Sequence, residues 1–248
     1  MDNILTLKNI FKTFSFDNTL HSVLSGISLT LQKGSLTCIL GPSGCGKSTL
    51  LKIACSLESQ DSGDVLFYGK KCIQPDSKRV MVFQEEQLYP WMTIAENVGF
   101  PQKVHGNSNW RREAETLLKK VQLSGWENRY PFQLSGGMKK RAAIARALLS
   151  SREILIMDEP FSSLDVNTRA RLHQLVIDLW KDLGLTILFV THIIDEALAL
   201  GERIIVMDNT GSIISDLLVD ESYPRDPLAN SILTLSDNLK TRMKSEDP

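Results

Sequence analysis

Short apolar runs bounded by glycine or by acidic residues recur along the chain and predict buried strands. Leu36–Leu40, Ile154–Met157 and Thr186–Val190 are runs of this kind. Other segments carry apolar residues every three to four positions, among them Lys47–Leu57 and Arg169–Leu183, and these predict helices. Because strands alternate with helices, the pattern favours an α/β fold with a mainly parallel sheet.

Two regions depart from this alternation. Extra strands in the first 80 residues favour a separate antiparallel β layer, while the stretch from about residue 87 to 150 favours an inserted helical subdomain. In that insertion we expect a helix from Trp110 to Val121, capped by Ser108, and another from Ser135 to Leu149. The remaining predicted elements are strands at Ile4–Ile10, Ser22–Gln32, Val65–Tyr68 and Arg79–Phe83, a hairpin over Arg203–Ser215, and a last helix at Ser231–Met243.

These elements predict one domain over residues 1–248. The β layer and the core are expected at about residues 1–86 and 151–225, with the helical subdomain at about residues 87–150. Residues 226–248 are expected to form a C-terminal tail.

Composition argues against two classes of protein. The 28 Lys and Arg residues balance 29 Asp and Glu residues, which is not the charge of a protein that binds nucleic acid through bulk positive charge. The longest stretch without a charged residue, Asn18–Gln32, has 15 residues, whereas a membrane-spanning helix needs roughly 20 mostly apolar ones. The 4 cysteines form no Cys-x-x-Cys pair, so we expect reduced thiols and no zinc site.

The sharpest chemical signal directly follows the predicted strand Leu36–Leu40. Glycines in such a loop let backbone N–H groups turn toward phosphate oxygens, and the start of the next helix adds positive potential. A lysine would reach the β- and γ-phosphates, and the following hydroxyl would ligate Mg²⁺. The residues that fit the pattern G-x-x-x-x-G-K-[ST] are Gly41, Pro42, Ser43, Gly44, Cys45, Gly46, Lys47 and Ser48, and Thr49 directly follows them as the last residue of the predicted site.

Two further groups of residues suit the same chemistry. Asp158 and Glu159 follow a predicted strand, where the first would hold Mg²⁺ and the second would act as general base toward water. Ser135, Gly136 and Gly137 start a predicted helix and would expose N–H groups as a second anion site. Without the phosphate loop, the acids would indicate only a strand end and the glycines only a helix cap.

Taken in order, these motifs resemble the nucleotide-binding subunit of an ABC transporter, a P-loop NTPase with a RecA-like core. The resemblance covers nearly the whole chain. It implies that two copies pair head to tail, with each ATP held between the phosphate loop of one copy and Ser135–Gly137 of the other. That arrangement would explain why one chain carries two anion sites.

The resemblance also implies roles for single residues. Gln84 matches a glutamine that senses Mg²⁺ and water, and His192 matches a histidine that contacts the γ-phosphate. Asp165 would touch the partner copy beside the nucleotide. Phe14 matches a position that stacks on adenine, with a core phenylalanine as the alternative. The catalytic residues implied are Lys47, Gln84, Glu159 and His192, and the metal ligands implied are Ser48, Gln84 and Asp158.

The sequence departs from the family pattern at one single residue, one three-residue run and one further residue. Met138 replaces a commoner Gln, and the run Lys139–Arg141 follows where many members carry one Gln. We expect this run to be a solvated helix face with one or two ion pairs. Ile193 stands where members usually have Asp, which removes one polar partner near His192.

The segment Phe83–Thr93 indicates a particular branch of this family. Its Gln-Glu…Pro-Trp-x-Thr pattern is similar to the nitrate/sulfonate/taurine-type importer ATPases. Such a subunit would power uptake of a small solute at the cytoplasmic face of the membrane. Its expected partners are a permease that docks near Gln84–Pro101 and, indirectly, a solute-binding protein. The apolar residues of that stretch would otherwise only pack the joint with the helical insertion.

Other functions use similar motifs. The ATPase of an ABC exporter is the nearest alternative, although most exporters fuse the membrane domain to the cassette. A soluble ABC ATPase acting on DNA or ribosomes typically carries two cassettes or a long coiled coil, which 248 residues do not hold. A P-loop small-molecule kinase would not need the segment Leu134–Met138. An importer subunit is therefore the expectation.

Overall fold

The computed structural model describes residues 2–17, 19–150 and 153–244. The chain divides into two compact units, one of residues 1–75 and 186–248 and the other of residues 76–185. The strands of the described residues are β1 Asn3–Phe16, β2 Thr19–Gln32, β3 Leu36–Leu40, β4 Ser62–Phe67, β5 Lys70–Lys71, β6 Arg79–Val82, β7 Ile154–Asp158, β8 Thr186–Thr191, β9 Arg203–Met207 and β10 Ile213–Leu218. The helices are α1 Lys47–Ala54, α2 Ile94–Val104, α3 Trp110–Lys120, α4 Gly136–Ser150, α5 Val166–Leu183, α6 Ile194–Leu200 and α7 Asn230–Lys244.

The first unit contains the antiparallel layer, in the strand order β2-β1-β4-β5. Strand β1 continues six residues beyond the predicted end at Ile10, because its register shifts near Asn9, whose φ is 52°. The shift bends the strand without ending it. As a result Phe14 lies inside β1, opposite His21 of β2.

The remaining strands of the first unit follow the order β10-β9-β3-β8, in which β3 pairs in parallel with both β8 and β9 while β10 pairs antiparallel with β9. Every residue of β3 and β8 is buried, as continuous apolar runs predict. Leu40 pairs with Thr191 at the carboxyl ends of these strands. Gly41 and His192, which follow them in the chain, therefore start at the same edge of the sheet.

The second unit contains the parallel pair β6 and β7 and the helices α2, α3, α4 and α5. Between residues 94 and 150 the structure has helices and turns but no strand, as expected for the helical insertion. One helix there was not predicted: α2 starts at a capping box in which Thr93 and Glu96 bind each other's backbone N–H. Another prediction was wrong, because the residue that precedes α3 is Asn109 and not Ser108.

The architecture expected from the sequence is present in the described residues: parallel α/β elements, an antiparallel layer and a helical insertion. The 4 cysteines are free thiols. None of the described helices is long and apolar enough to cross a membrane.

Candidate functional site

The phosphate loop needs glycine at two positions for steric reasons. Gly46 has a φ of 96°, and a Cβ there would lie 2.5 Å from the carbonyl oxygen of Val23. A Cβ on Gly41 would lie 2.8 Å from the carbonyl oxygen of Met207. Since real Cβ atoms do not approach backbone so closely, the tight turn between β3 and α1 requires both glycines.

Lys47 opens α1 and is 4% exposed. Its Nζ donates hydrogen bonds to the carbonyl oxygens of Gly41 at 2.9 Å and Pro42 at 2.6 Å. Ser43, Gly44 and Ser48 are exposed on the same loop, and space around Gly44 is open. The loop therefore presents a buried ammonium on one side and accessible N–H groups on the other, which suits a phosphate chain.

His192 and Phe14 also belong to the first unit. The His192 side chain is exposed directly after β8, and the N–H of Ile193 donates to Thr191 Oγ1 at 3.0 Å. Ile193 occupies the N-cap position of α6 and provides no side-chain cap, as its apolar side chain dictates. Phe14 is half-buried, with the Lys12 ammonium 4.9 Å from the centre of its ring.

In the second unit, Gln84 and Glu159 are linked through Ser162. Gln84 Nε2 donates to Ser162 Oγ at 3.2 Å, and Ser162 Oγ donates to the carbonyl oxygen of Glu159 at 3.1 Å. Glu159 has a φ of 42°, a left-handed conformation that is strained for a side chain of this kind. Asp158 ends β7 and is 8% exposed. The structure thus brings together two of the predicted catalytic residues.

The N-terminus of α4 carries the second candidate anion site. Ser135 Oγ accepts a hydrogen bond from the N–H of Met138 at 3.4 Å, so this serine caps the helix. A Cβ on Gly137 would lie 2.7 Å from Thr168 Cγ2 of α5, which explains why glycine is needed there. Gly136 faces Leu164 more loosely, at 3.4 Å. The residues 135–137 therefore lie against the start of α5.

Asp165 is the N-cap of α5. Its Oδ1 accepts a hydrogen bond from the N–H of Thr168 at 2.9 Å, and this bond lowers the pKa of the Asp165 carboxyl. The side chain is exposed. Asp165 lies between Leu164 and Thr168 in the chain, the two residues that Gly136 and Gly137 face.

The expectation of a solvated helix face at residues 139–141 was wrong for Lys140, whereas an expected ion pair is present. Lys140 is 2% exposed, lies 3.1 Å from Glu86 Oε1, and donates a hydrogen bond to the carbonyl oxygen of Gln84. Arg146, one and a half turns further along α4, donates to the carbonyl oxygens of Gln87 at 2.8 Å and Glu86 at 3.1 Å. Sequence reasoning missed both contacts, because the acceptors are backbone atoms about 60 residues away.

The donor chemistry suits the implied Mg²⁺. Ser48, Gln84 and Asp158 offer a hydroxyl, an amide and a carboxylate, which are oxygen ligands of the kind that Mg²⁺ takes together with phosphates. Among the described residues there is no cluster of three or more His, Cys, Asp or Glu residues.

Comparison with known proteins identifies the family of this chain. The protein-family model described as "ABC transporter" matches residues 24–162. An aliphatic sulfonates import ATP-binding protein of Bacillus thuringiensis is 37% identical over 93% of this chain and 92% of its own. A taurine import ATP-binding protein of Roseobacter denitrificans is 40% identical over 82% of this chain and 77% of its own.

The solved structures that are similar to this chain are also ABC transporter cassettes. The dimeric structure of a bacterial ABC transporter cassette matches with a TM-score of 0.78 and 32% identity, over 88% of this chain and all of that one. A dimeric post-hydrolysis state of the cassette, bound to ADP and Pi, matches equally well. The P-loop NTPase fold expected from the sequence is thereby confirmed. The chain belongs to the ABC transporter family and is one of its ATP-hydrolysing cassettes.

Proposed function

We propose that this cassette powers the uptake of a small organic solute through a separate membrane permease. The observation that carries the proposal is the presence of two predicted phosphate-binding segments on one chain, the loop after β3 and the residues 135–137 at the start of α4. The relatives named above are import proteins for aliphatic sulfonates and taurine, which favours import and a small organic anion as cargo.

Two copies would pair head to tail, with two ATP molecules between them. The phosphate loop lies in the first unit and the residues 135–137 lie in the second. The exposed residues Ser135, Gly136 and Asp165 would then face the partner copy and its nucleotide. The dimeric state of both solved neighbours supports this pairing.

The chemistry follows from the side chains. Lys47 would exchange its two carbonyl acceptors for phosphate oxygens, and Phe14 would stack on adenine. Ser48, Asp158 and Gln84 would hold Mg²⁺, which when bound neutralises phosphate charge. Glu159 would take a proton from the attacking water while His192 orients the γ-phosphate. The strained backbone of Glu159 is typical of a functional position.

A groove in the second unit suits the permease contact. Its volume is about 350 Å³, and Trp91, beside it, is 70% exposed. Tyr89 lies in the groove wall, with its ring 5.5 Å from that of Trp91. A short amphipathic helix with apolar anchors would fit such a groove. The residues that line it are Val80, Met81, Val82, Phe83, Glu86, Gln87, Tyr89, Phe100, Pro101, Ala143, Arg146, Ala147 and Ser150.

The permease would place the cassette at the cytoplasmic face of the membrane. A solute-binding protein would deliver the cargo to the permease and would contact the cassette only indirectly. We propose no nucleic-acid partner, since the chain has a net charge of only -1.

Complementation between defective copies tests the head-to-tail pairing. Lys47→Ala removes the charge that faces phosphate, and Ser135→Arg fills the glycine nest, so each variant alone should lack ATPase activity. A mixed dimer would carry one intact composite site, so mixtures of the two should regain activity. The matched control pairs Lys47→Ala with Glu159→Gln, which leaves each composite site with one defect. Absence of recovery in the first mixture, or equal recovery in both, contradicts the arrangement.

A further inference from the structure

Lys140 of α4 is a buried cation, although the sequence predicts that the run Lys139–Arg141 faces solvent. Its side chain is 2% exposed, and its ammonium lies 3.1 Å from the carboxylate of Glu86, which is 26% exposed. The same ammonium donates a hydrogen bond to the carbonyl oxygen of Gln84. Because burial of an ammonium is unfavourable without such partners, these two groups determine where the Lys140 side chain lies.

The partners belong to a segment with little structure of its own. Residues 83–93 contain turns and bends but neither helix nor strand. Side chains from α4 bind its backbone at three carbonyl oxygens: Lys140 at Gln84, and Arg146 at Glu86 and Gln87. The position of this segment therefore depends on α4.

Gln84 makes hydrogen bonds through both its main chain and its side chain. Its main-chain oxygen accepts from Lys140, while its side-chain Nε2 donates to Ser162 Oγ, which in turn donates to the Glu159 carbonyl. Loss of the Lys140 contact would leave the exposed Gln84 side chain with its amide contact to Ser162 but without its main-chain anchor.

We propose that Lys140 is a positioning residue that holds the main chain of Gln84 so that its amide oxygen is presented to Mg²⁺. This inference rests on the proposed function, in which Gln84 is a metal ligand. Lys140 itself touches neither metal nor nucleotide on this view. Its effect should therefore appear in the Mg²⁺ dependence of ATP binding and should require Gln84.

The test measures ATP affinity at increasing free Mg²⁺ in the full chain carrying Glu159→Gln, so that hydrolysis does not interfere. Lys140→Met should bind ATP normally without Mg²⁺. The midpoint is the free Mg²⁺ concentration at which half of the metal-dependent gain in ATP affinity is reached. In Lys140→Met this midpoint should be about tenfold higher, as is typical when a group that orients a metal ligand is lost.

Lys139→Met is the matched control, since it removes the same charge from the neighbouring, half-buried position of α4. A double variant with Gln84→Ala completes a mutant cycle, in which Lys140→Met should have no further effect. Lys140→Gln keeps a polar side chain in the buried site and should shift the midpoint in the same direction. It provides the measurement if Lys140→Met does not fold.

The outcomes separate this inference from the proposed function. A shift in the Lys140 variant that exceeds the Lys139 control and vanishes in the Gln84→Ala background supports the positioning role. An unchanged midpoint, or an equal shift with and without Gln84, overturns it while leaving the metal role of Gln84 intact. If Gln84→Ala alone does not move the midpoint, both the metal role and the positioning role are wrong.

Discussion

The Lys12 ammonium lies 2.7 Å from the carboxylate of Glu58, and the same ammonium is 4.9 Å from the centre of the Phe14 ring. Lys12 also donates to the carbonyl oxygen of Ser59 at 2.7 Å. These contacts hold the strand that carries the proposed adenine-stacking residue against the loop that follows α1. The first turn of α1, at its other end, belongs to the phosphate loop.

This ion pair predicts a pH-dependent stability. Its hydrogen bond lowers the pKa of Glu58 below the ordinary value of 4.5. Because the folded-state pKa is lower than the unfolded one, the stabilisation is present above pH 4.5 and is lost as the pH falls through the folded value. Lys12→Met should therefore lower the free energy of unfolding by about 1–2 kcal/mol at neutral pH, for a partly exposed pair, and by less in acid.

Urea unfolding of both proteins across this pH range measures the difference. Lys8→Met, on the same strand at an exposed position, is the control and should give a small difference at every pH. A Lys12→Met effect that stays constant down to strongly acidic pH would contradict the assignment to Glu58.

Glu159→Gln should separate ATP binding from hydrolysis. The amide keeps the shape of the side chain but cannot accept a proton, so turnover should fall by more than about 10²-fold while ATP affinity is kept. With ATP bound and not hydrolysed, the variant should accumulate as a dimer on size exclusion. Glu115→Gln, on the exposed surface of α3, should hydrolyse ATP at the parental rate. Near-normal turnover of Glu159→Gln would rule out its role as base.

The elements predicted most accurately from the sequence are the strands in which every residue is buried. Every residue of β3, β7 and β8 is buried, so continuous apolar runs mark these strands without ambiguity. The end of β1 was missed because the bulge near Asn9 interrupts the alternation that defines a half-buried strand. Helix α2 was missed because Pro101 lies inside it, although Thr93 and Glu96 form a capping box that is legible in the sequence.

The candidate site was predicted as a set of residue types at motif spacing, and its supporting contacts were not. Motifs place Gln84 and Glu159 in the chain, but only the fold shows Ser162 between them. Lys140 was misjudged because a helix pattern normally turns lysine outward. Its burial depends on the backbone of residue 84, and no local pattern in the sequence indicates an acceptor 56 positions away.

Arg225→Ala should destabilise the first unit. The Arg225 guanidinium donates to the carbonyl oxygens of Leu198 at 2.6 Å and Gly201 at 2.7 Å, at the C-terminal end of α6. Removal leaves these acceptors without a charged donor, which should lower the free energy of unfolding by about 2–4 kcal/mol. Lys240→Ala, at an exposed ion pair of α7, should change it by less than about 0.5 kcal/mol. Urea unfolding that gives equal values for the two variants would contradict this role of Arg225.

Trp91→Ala and Tyr89→Ala should differ in their effect on the free energy of unfolding. This difference shows which of the two aromatic side chains packs within the cassette and which is available to a partner. Trp91 is 70% exposed, so Trp91→Ala should change the free energy of unfolding by less than about 0.5 kcal/mol. Tyr89 packs its ring 5.0 Å from that of Phe100, and Asn97 binds its backbone N–H and carbonyl. Tyr89→Ala should therefore destabilise the isolated cassette by about 1–3 kcal/mol.

If the permease docks at this groove, Trp91→Ala should weaken the complex although the cassette stays folded. A buried aromatic anchor contributes about 2 kcal/mol or more to an interface, which corresponds to roughly 30-fold in Kd. Co-purification with the permease and the ratio of solute uptake to ATP hydrolysis would measure this loss. Val104→Ala, 65% exposed on α2, is the control and should leave assembly unchanged. A Trp91→Ala cassette that assembles and transports like the parent would show that this aromatic surface is not the docking site.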